Sequence, residues 1–218
     1  MGSIYRYLKS FLNEELVEAS SSEYNPTLEV SYSAGRMLLN SQNSNYSYGT
    51  LMDVFRSVFK ELDLKHRAPS SALILGLGAG CILQLFEDFE ISPQTIGVEL
   101  DPEVIRLANK HFDLAEYDNL LVLEQDANVF VQKHQATFDL IIVDLFLDQS
   151  IPGFAQTPQF LQQLIKRLNP GGVLIYNRMT ETTEGRQQTV HFEEMLSILV
   201  QDFSVFTTSV NKFFIYEA

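Results

Sequence analysis

Apolar, β-branched runs alternate with segments of helical periodicity between residues 72 and 176, and this alternation constrains the fold more than any other feature of the chain. The apolar runs predict strands at 72–76, 95–99, 120–124, 139–145 and 172–176. The segments between them predict helices at 80–89, 101–112, 126–135 and 158–168. Elements in this order form βαβ units, so we predict an α/β protein with a mostly parallel sheet and right-handed crossovers.

The residues before this region have a different pattern. Apolar side chains at residues 4–19 lie near helical spacing, and residues 27–40 are typical of a strand, a turn and a second strand. We therefore predict an N-terminal extension of one helix and one β-hairpin over residues 1–48, followed by the main domain over 49–218. An isolated hairpin is marginally stable, so this one is expected to pack on the main domain or to pair with a second subunit.

The C-terminal residues also leave the alternating pattern. A helix is predicted at 184–201, and two β-rich runs follow at 203–210 and 213–217, separated by Asn211-Lys212. Two such runs joined by two turn residues predict an antiparallel hairpin.

The first strand of the alternating region runs into a glycine-rich turn. Gly76, Gly78 and Gly80 follow a Gly-x-Gly-x-Gly spacing, whereas a dinucleotide-binding turn would need glycine where Cys81 stands. Glycines let the backbone approach a ligand closely, and the following helix offers unpaired N–H groups. This spacing is typical of class I methyltransferases, which bind S-adenosylmethionine, and it disfavours a nicotinamide-dependent dehydrogenase.

The second strand ends in a carboxylate, Glu99, followed by Leu100 and a helix start at Asp101-Pro102. Aspartate at the N-cap and proline at the first helical position both favour a helix here. An acid about 20 residues after the glycine turn is expected to accept the hydroxyl protons of a ribose. Glu99 and Leu100 are thus predicted to contact a nucleoside cofactor.

Composition narrows the class of protein. The net charge of −13 argues against nucleic-acid binding, and no apolar run approaches the ~20 residues that span a bilayer. One cysteine permits no internal disulfide, and the N-terminus lacks the apolar stretch of a secretory signal. The four histidines show no metal-ligand spacing. We predict a cytoplasmic protein with no metal, no nucleic-acid partner and no membrane contact.

Taken together, the chain resembles the spermidine synthase family, the aminopropyltransferases that share the methyltransferase fold. The resemblance rests on the N-terminal hairpin, the glycine turn, and the segments Gly97–Pro102, Glu124–Ala127 and Phe138–Asp144. It implies a class I methyltransferase (Rossmann-like) fold, with a mostly parallel seven-stranded sheet and an antiparallel last strand. It also implies S-adenosylmethionine, or its decarboxylated form, as the cofactor.

The resemblance also implies roles for individual residues. The three glycines would approach the sulfonium and amino-acid end of the cofactor, and Glu99 would bind the ribose. Asp126 would accept from the adenine amino group while Ala127 donates its backbone N–H, although aspartate there also suits a helix N-cap. Asp144 ends the fourth strand, where it is expected to contact the cofactor and to act as the catalytic base.

The acceptor side departs from the family pattern. The family follows its fourth strand with Asp-Ser-x-Asp-Pro, whereas this chain has Asp144-Leu-Phe-Leu-Asp148. Residues 46–56, where the family places acids that bind amine nitrogens, contain few acids. A dicationic amine needs paired carboxylates to offset its desolvation. Polyamine synthesis is therefore disfavoured, and Tyr46, Tyr48 and Asp148 are predicted to line a different acceptor pocket.

Three functions follow from these observations. A small-molecule methyltransferase that uses S-adenosylmethionine is favoured, because the cofactor side is intact. An aminopropyltransferase with an altered acceptor site is the first alternative, and a non-catalytic cofactor-binding or assembly module is the second. The expected partner is a small-molecule acceptor, and a homodimer through the N-terminal hairpin is possible.

Overall fold

The computed structural model describes residues 2–41, 50–146 and 150–218. Its helices are α1 (Gly2–Lys9), α2 (Thr50–Glu61), α3 (Leu64–Arg67), α4 (Cys81–Asp88), α5 (Pro102–His111), α6 (Ala127–Lys133), α7 (Pro158–Ile165) and α8 (Thr183–Leu199). Its strands are β1 (Glu15–Ser20), β2 (Leu28–Ser33), β3 (Arg36–Ser41), β4 (Ser71–Leu75), β5 (Gln94–Glu99), β6 (Leu120–Glu124), β7 (Phe138–Val143), β8 (Leu168–Met179), β9 (Ser204–Thr207) and β10 (Asn211–Glu217). Within these ranges, no helix combines the length and the apolar character needed to cross a membrane.

The main sheet confirms the predicted topology. Its seven strands lie in the order β6-β5-β4-β7-β8-β10-β9. Strands β4 to β8 pair in parallel, whereas β10 pairs antiparallel with β8. The carboxyl ends of β4, β5 and β7 therefore meet at one edge, where an open α/β sheet binds its ligands.

Strand β4 lies inside the sheet, between β5 and β7. It shows why the predicted strands are continuous apolar runs. Leu73 and Leu75 point into the cluster on one face, while Ala72 and Ile74 point into the cluster on the other. All four side chains are fully buried. A strand covered by helices on both faces has no solvent side, so polar residues do not alternate with apolar ones.

The prediction of a single helix over residues 4–19 is wrong. Helix α1 ends at Lys9, and β1 pairs antiparallel with β2, so the extension is a helix and a three-stranded sheet. The Ser10 carbonyl accepts from Ala34 N–H at 2.9 Å, and its Oγ accepts from Gly35 N–H at 2.9 Å. These contacts hold the end of α1 against the β2–β3 turn. The edge of β2 offers backbone hydrogen-bond partners to residues 15–20, which therefore form a strand and do not continue the helix.

The predicted N-terminal hairpin is confirmed as β2 and β3. Its turn consists of Ala34 and Gly35, which both have positive φ angles of 49° and 76°. Two consecutive positive φ angles are typical of a type I′ turn, whose twist matches that of paired strands. The hairpin packs on α5, with Leu28 and Val30 in one apolar cluster with Val104.

Two boundaries in the second half differ from the prediction. The turn of the C-terminal hairpin lies before Asn211, whereas the prediction placed it at Asn211-Lys212. Thr208 Oγ1 closes the turn by accepting from Asn211 N–H at 2.9 Å, and Asn211 itself pairs with Met179 of β8. The helix predicted to reach residue 168 ends at Ile165. Residues 169–171, which lie between the predicted helix and the predicted strand, belong to β8, where the pairing with β7 is irregular.

Candidate functional site

A cavity of about 410 Å³ opens at the carboxyl edge of the main sheet. Seven of the predicted site residues line it: Gly76, Gly78, Glu99, Leu100, Asp126, Ala127 and Asp144. Gly80 does not line the cavity. Tyr46, Tyr48 and Asp148 lie outside the described residues. The volume is within the range of small-molecule sites, about 300–1,000 Å³.

The glycine turn is shaped by two close approaches. Gly76 has φ +86°, and a Cβ atom there would lie 2.2 Å from the Asp144 carbonyl oxygen. No other residue fits this position, since the side chain would overlap the backbone of the neighbouring strand end. Gly80 has φ +84° and is the N-cap of α4. Its conformation turns the chain into that helix, and this accounts for the glycine without a ligand contact.

Glu99 is bound by the backbone around it. Oε2 accepts from Gly78 N–H at 2.9 Å, and Oε1 accepts from Leu100 N–H at 2.8 Å and Asp101 N–H at 3.1 Å. Burial raises the pKa of Glu99, and the three backbone donors oppose that rise. The bonds fix the carboxylate at the strand end, and its remaining lone pairs can accept hydroxyl protons from a ligand in the cavity.

Asp126 serves as the helix N-cap considered from the sequence, and it also lies at the cavity. It is the N-cap of α6, where its Oδ1 accepts from Val129 N–H at 2.9 Å, and it also lines the cavity. Ala127, the first residue of α6, is 4% exposed and lines the cavity too. The first backbone N–H groups of a helix have no partner within the helix, so this corner offers a carboxylate and a donor to one ligand group.

Asp144 is half-buried at the end of β7 and belongs to a chain of polar side chains. Its Oδ1 accepts from Asn177 Nδ2 at 2.7 Å, and Asn177 Oδ1 accepts from Asn211 Nδ2 at 2.9 Å. Burial raises the pKa of Asp144 to about 6, and the nearby Glu99 carboxylate adds to the rise. A carboxylate with a pKa near neutrality is suited to accept and return a proton.

All charged residues that line the described part of the cavity are acidic. They are Glu99, Asp101, Asp126, Asp144 and Glu181. Neither lysine, arginine nor histidine occurs among these lining residues. Such a wall has a negative potential, which favours a cationic ligand.

Several lining residues were not predicted from the sequence. Tyr24 and Asn25 come from the N-terminal extension, while Asn177 and Asn211 come from the C-terminal strands. No local motif marks these positions, and Asn211 was interpreted as a turn residue. The fold alone brings them to the cavity.

The N-terminal extension is attached to the main domain at Asp101, two residues after Glu99. Asp101 Oδ1 caps α5 by accepting from Glu103 N–H at 2.9 Å. Its Oδ2 accepts from Asn25 Nδ2 at 2.7 Å and from Ser22 Oγ at 2.5 Å. Asp101 therefore joins the segment after β1 to the helix that follows Glu99.

The chain is similar to known proteins both in sequence and in structure. The model of a methyltransferase domain family matches residues 70–208. A probable polyamine aminopropyl transferase of Bifidobacterium longum is 32% identical over 108 residues, which cover 50% of this chain and 24% of that protein. A polyamine aminopropyltransferase of Vibrio vulnificus is 30% identical over 112 residues, covering 50% and 38%. The chain thus spans less than half the length of these two relatives.

Solved structures show the same fold. A spermidine synthase in complex with the transition-state analogue AdoDATO has a TM-score of 0.72 at 15% identity, covering 93% of this chain and 72% of that one. Human methyltransferase-like protein 13 in complex with SAH has a TM-score of 0.60 at 21% identity, covering 76% and 79%. Because the family model matches well over half of the residues, the chain belongs to the methyltransferase domain family, and its fold is of the class I, spermidine-synthase-like type.

Proposed function

We propose that this protein transfers an alkyl group from an adenosyl sulfonium cofactor to the nitrogen of an amine, with Asp144 as the proton acceptor. The observation that carries the proposal is the position of Asp144, a carboxylate with a pKa raised to about 6 at the wall of a cavity whose charged lining is acidic. Both the sulfonium and an amine acceptor are cationic groups that such a lining favours.

The cofactor side of the cavity fits S-adenosylmethionine or its decarboxylated form. Gly76 and Gly78 leave the backbone of the turn open to a ligand, and Glu99 has lone pairs for two ribose hydroxyls. Asp126 and the Ala127 N–H provide an acceptor and a donor for the edge of an adenine. These three groups lie at the ends of β4, β5 and β6, and they are proposed to bind and orient the nucleoside.

The acceptor nitrogen is proposed to lose its proton to Asp144. The bound cofactor supplies an electrophilic carbon next to a positively charged sulfur. With the cofactor bound, the amine nitrogen would form a bond to that carbon as the carbon–sulfur bond breaks, and the electron pair of the broken bond would stay on sulfur. Asn177 Nδ2 donates to Asp144 Oδ1 at 2.7 Å, so Asp144 Oδ2 remains to accept the proton. Orientation of the two reactants supplies most of the acceleration in such a displacement.

Two alkyl groups are candidates, and a different observation favours each. Aminopropyl transfer from the decarboxylated cofactor is favoured by the names of the curated relatives and by the acidic lining, because that cofactor lacks a carboxylate. Methyl transfer, which the sequence alone favours, is supported by the methyltransferase family model and by the apolar residues Leu145 and Phe146 in the lining. The two reactions differ in the product that leaves.

The experiment therefore measures the leaving product. The protein is incubated with a panel of diamines and either S-adenosylmethionine or the decarboxylated form, and nucleoside products are separated chromatographically. Aminopropyl transfer releases methylthioadenosine, whereas methyl transfer releases S-adenosylhomocysteine. Calorimetric titration with both cofactors accompanies the assay, so that binding is measured even where the panel contains no acceptor.

Matched variants identify the residues responsible. Glu99→Gln keeps the volume of the side chain but turns an NH2 group toward a backbone N–H that the carboxylate had bound. It is expected to weaken binding of either cofactor by about tenfold or more, since each hydrogen bond to a charged group is worth about 1.5–3 kcal/mol. Asp144→Asn is expected to bind the cofactor and to lose turnover. The exposed Asp202→Asn, which makes the same change of charge away from the cavity, is the control. If neither cofactor binds the unsubstituted protein, the proposed function is wrong.

A further inference from the structure

Arg178 is a fully buried cation that the proposed reaction does not use. Its side chain is 0% exposed, and its guanidinium lies 4.5 Å from the ring centre of Phe192. None of its contacts in the described part of the chain is a carboxylate. Burial lowers its pKa to about 10, so it remains protonated at neutral pH. An apolar side chain of similar volume would fill this space at a lower cost in desolvation.

The hydrogen bonds of Arg178 join two elements. Nε donates to Thr189 Oγ1 of α8 at 3.2 Å, and Nη2 donates to Gln156 Oε1 at 2.8 Å. Nη1 is buried and has no partner among the described residues. Gln156 in turn donates from Nε2 to the Ile151 carbonyl at 3.2 Å. Through Gln156, the cation is thus connected to both ends of the segment 151–156.

Tyr176 holds the same segment at Ala155. Its hydroxyl donates to the Ala155 carbonyl at 2.6 Å, and its ring is 1% exposed. Tyr176 and Arg178 are two residues apart on β8 and lie on one face of the sheet, while Asn177 between them points to Asp144 on the cavity side. One short stretch of β8 therefore fixes the candidate base on one face and the segment 151–156 on the other.

That segment contributes an apolar wall to the cavity. Pro152 and Phe154 both line it. Phe154 is partly buried and meets Phe160 of α7 edge-on, with ring centres 5.2 Å apart. The backbone forms a 3-10 turn over Gly153–Gln156. This turn is short, so contacts from outside must hold it in place.

We infer that Arg178 is a positioning residue, which holds the segment 151–156 through Gln156 so that Pro152 and Phe154 form the wall of the acceptor pocket. The hydrogen bond from a guanidinium is directional, whereas apolar packing would tolerate a shift of the turn. A wall of proline and phenylalanine selects an acceptor whose amine is carried on a hydrocarbon chain. The identity of the acceptor rests on the proposed function, while the positioning role does not.

The chain contains no tryptophan, so Phe154→Trp introduces a single fluorescent reporter into the wall. Arg178→Met and Gln156→Leu are each added to this reporter protein. Loss of a hydrogen bond to a charged group is expected to raise the population with a displaced wall by about tenfold. The indole emission should then shift to longer wavelength, and quenching by acrylamide should increase.

Thr189→Val in the reporter protein is the matched control. It removes the other side-chain hydrogen bond of Arg178, on the α8 side, and it is expected to leave the emission and the quenching unchanged. Unchanged signals in both Arg178→Met and Gln156→Leu would overturn the inference, because packing alone would then hold the wall. If Arg178→Met does not fold, Gln156→Leu decides by itself.

Binding of methylthioadenosine separates this inference from the proposed function. Arg178→Met is expected to bind it as the unsubstituted protein does, and to show a raised KM for the acceptor with a smaller change in kcat. A reporter signal that changes while no protein binds methylthioadenosine would support the positioning role and contradict the proposed function. A loss of methylthioadenosine binding in Gln156→Leu and Arg178→Met alike, with no change in the reporter, would contradict the inference.

Discussion

Asp144 is expected to destabilise the folded protein at the pH where it is proposed to work. Its pKa rises from an ordinary value of 3.8 to about 6 in the native state, chiefly because of burial. At about 1.4 kcal/mol per pKa unit, this difference corresponds to about 3 kcal/mol. Asp144→Asn keeps the shape and an oxygen for Asn177, and it removes the charge. The variant should therefore be more stable than the parent by up to about 3 kcal/mol above pH 6.

The sign follows from which state binds the proton more tightly. Between pH 4 and pH 6 the native carboxyl retains its proton while the unfolded one has lost it. The contribution of Asp144 to the free energy of unfolding therefore decreases as pH rises through this window and is constant above it. Below about pH 4 both states are protonated, so the parent and the variant should converge.

Urea unfolding followed by far-UV circular dichroism measures this difference, at pH values from about 4 to about 8. Asp202→Asn controls for the general effect of removing one negative charge from a chain of net charge −13. If the stability difference between Asp144→Asn and the parent is the same at both ends of the range, the carboxyl is not desolvated, and its role as a base tuned toward neutrality is refuted. A gain in stability together with a loss of turnover would be typical of a strained functional group.

Two further perturbations test the contacts that shape the site. Gly76→Ala should destabilise by more than about 3 kcal/mol, because the strain of a positive φ adds to a clash in which the new Cβ lies only 2.2 Å from a backbone oxygen. Gly171→Ala, with φ +78° and no atom within 4 Å of the new Cβ, isolates the φ cost at about 1–2 kcal/mol in the same unfolding assay. Glu18 accepts from three basic side chains of α5 at 2.5 to 2.7 Å, and its pKa falls to about 2 chiefly through those bonds. This stabilisation is present above pH 4.5 and lost as pH falls toward 2. Glu18→Gln should cost about 1 kcal/mol at pH 7, since the partners are solvent-screened, and hydrogen exchange in β1 and β2 should quicken; equal exchange in both proteins would contradict the assignment.

Local chemistry made part of the cavity lining predictable. The glycine turn, the strand ending at Glu99 and the N-cap at Asp126 are short segments whose backbone geometry depends on neighbours in sequence. Because the carboxyl ends of parallel strands meet at one edge, the strand order was enough to bring these groups together. The same rule placed Asp144 at the cavity.

Local patterns did not predict the structure of segments whose backbone forms hydrogen bonds with strands distant in sequence. Leu16 and Val17 fit a helical spacing, yet they lie in β1, because the open edge of β2 satisfies that backbone. Asn211 looks like a turn residue, yet it pairs in β10 and bonds to Asn177. In both cases the competing interaction comes from residues distant in sequence.

The sequence by itself determined the alternation of strands and helices, the glycine turn before α4 and the carboxylate at the end of β5, because periodicity and turn chemistry are local properties of the chain. Only the tertiary structure decided that Asn177 and Asn211 support Asp144, and that Tyr24 and Asn25 line the cavity. It also decided that Arg178 holds the opposite wall. These contacts join residues far apart in sequence, and their energies depend on burial, which no spacing of residue types encodes.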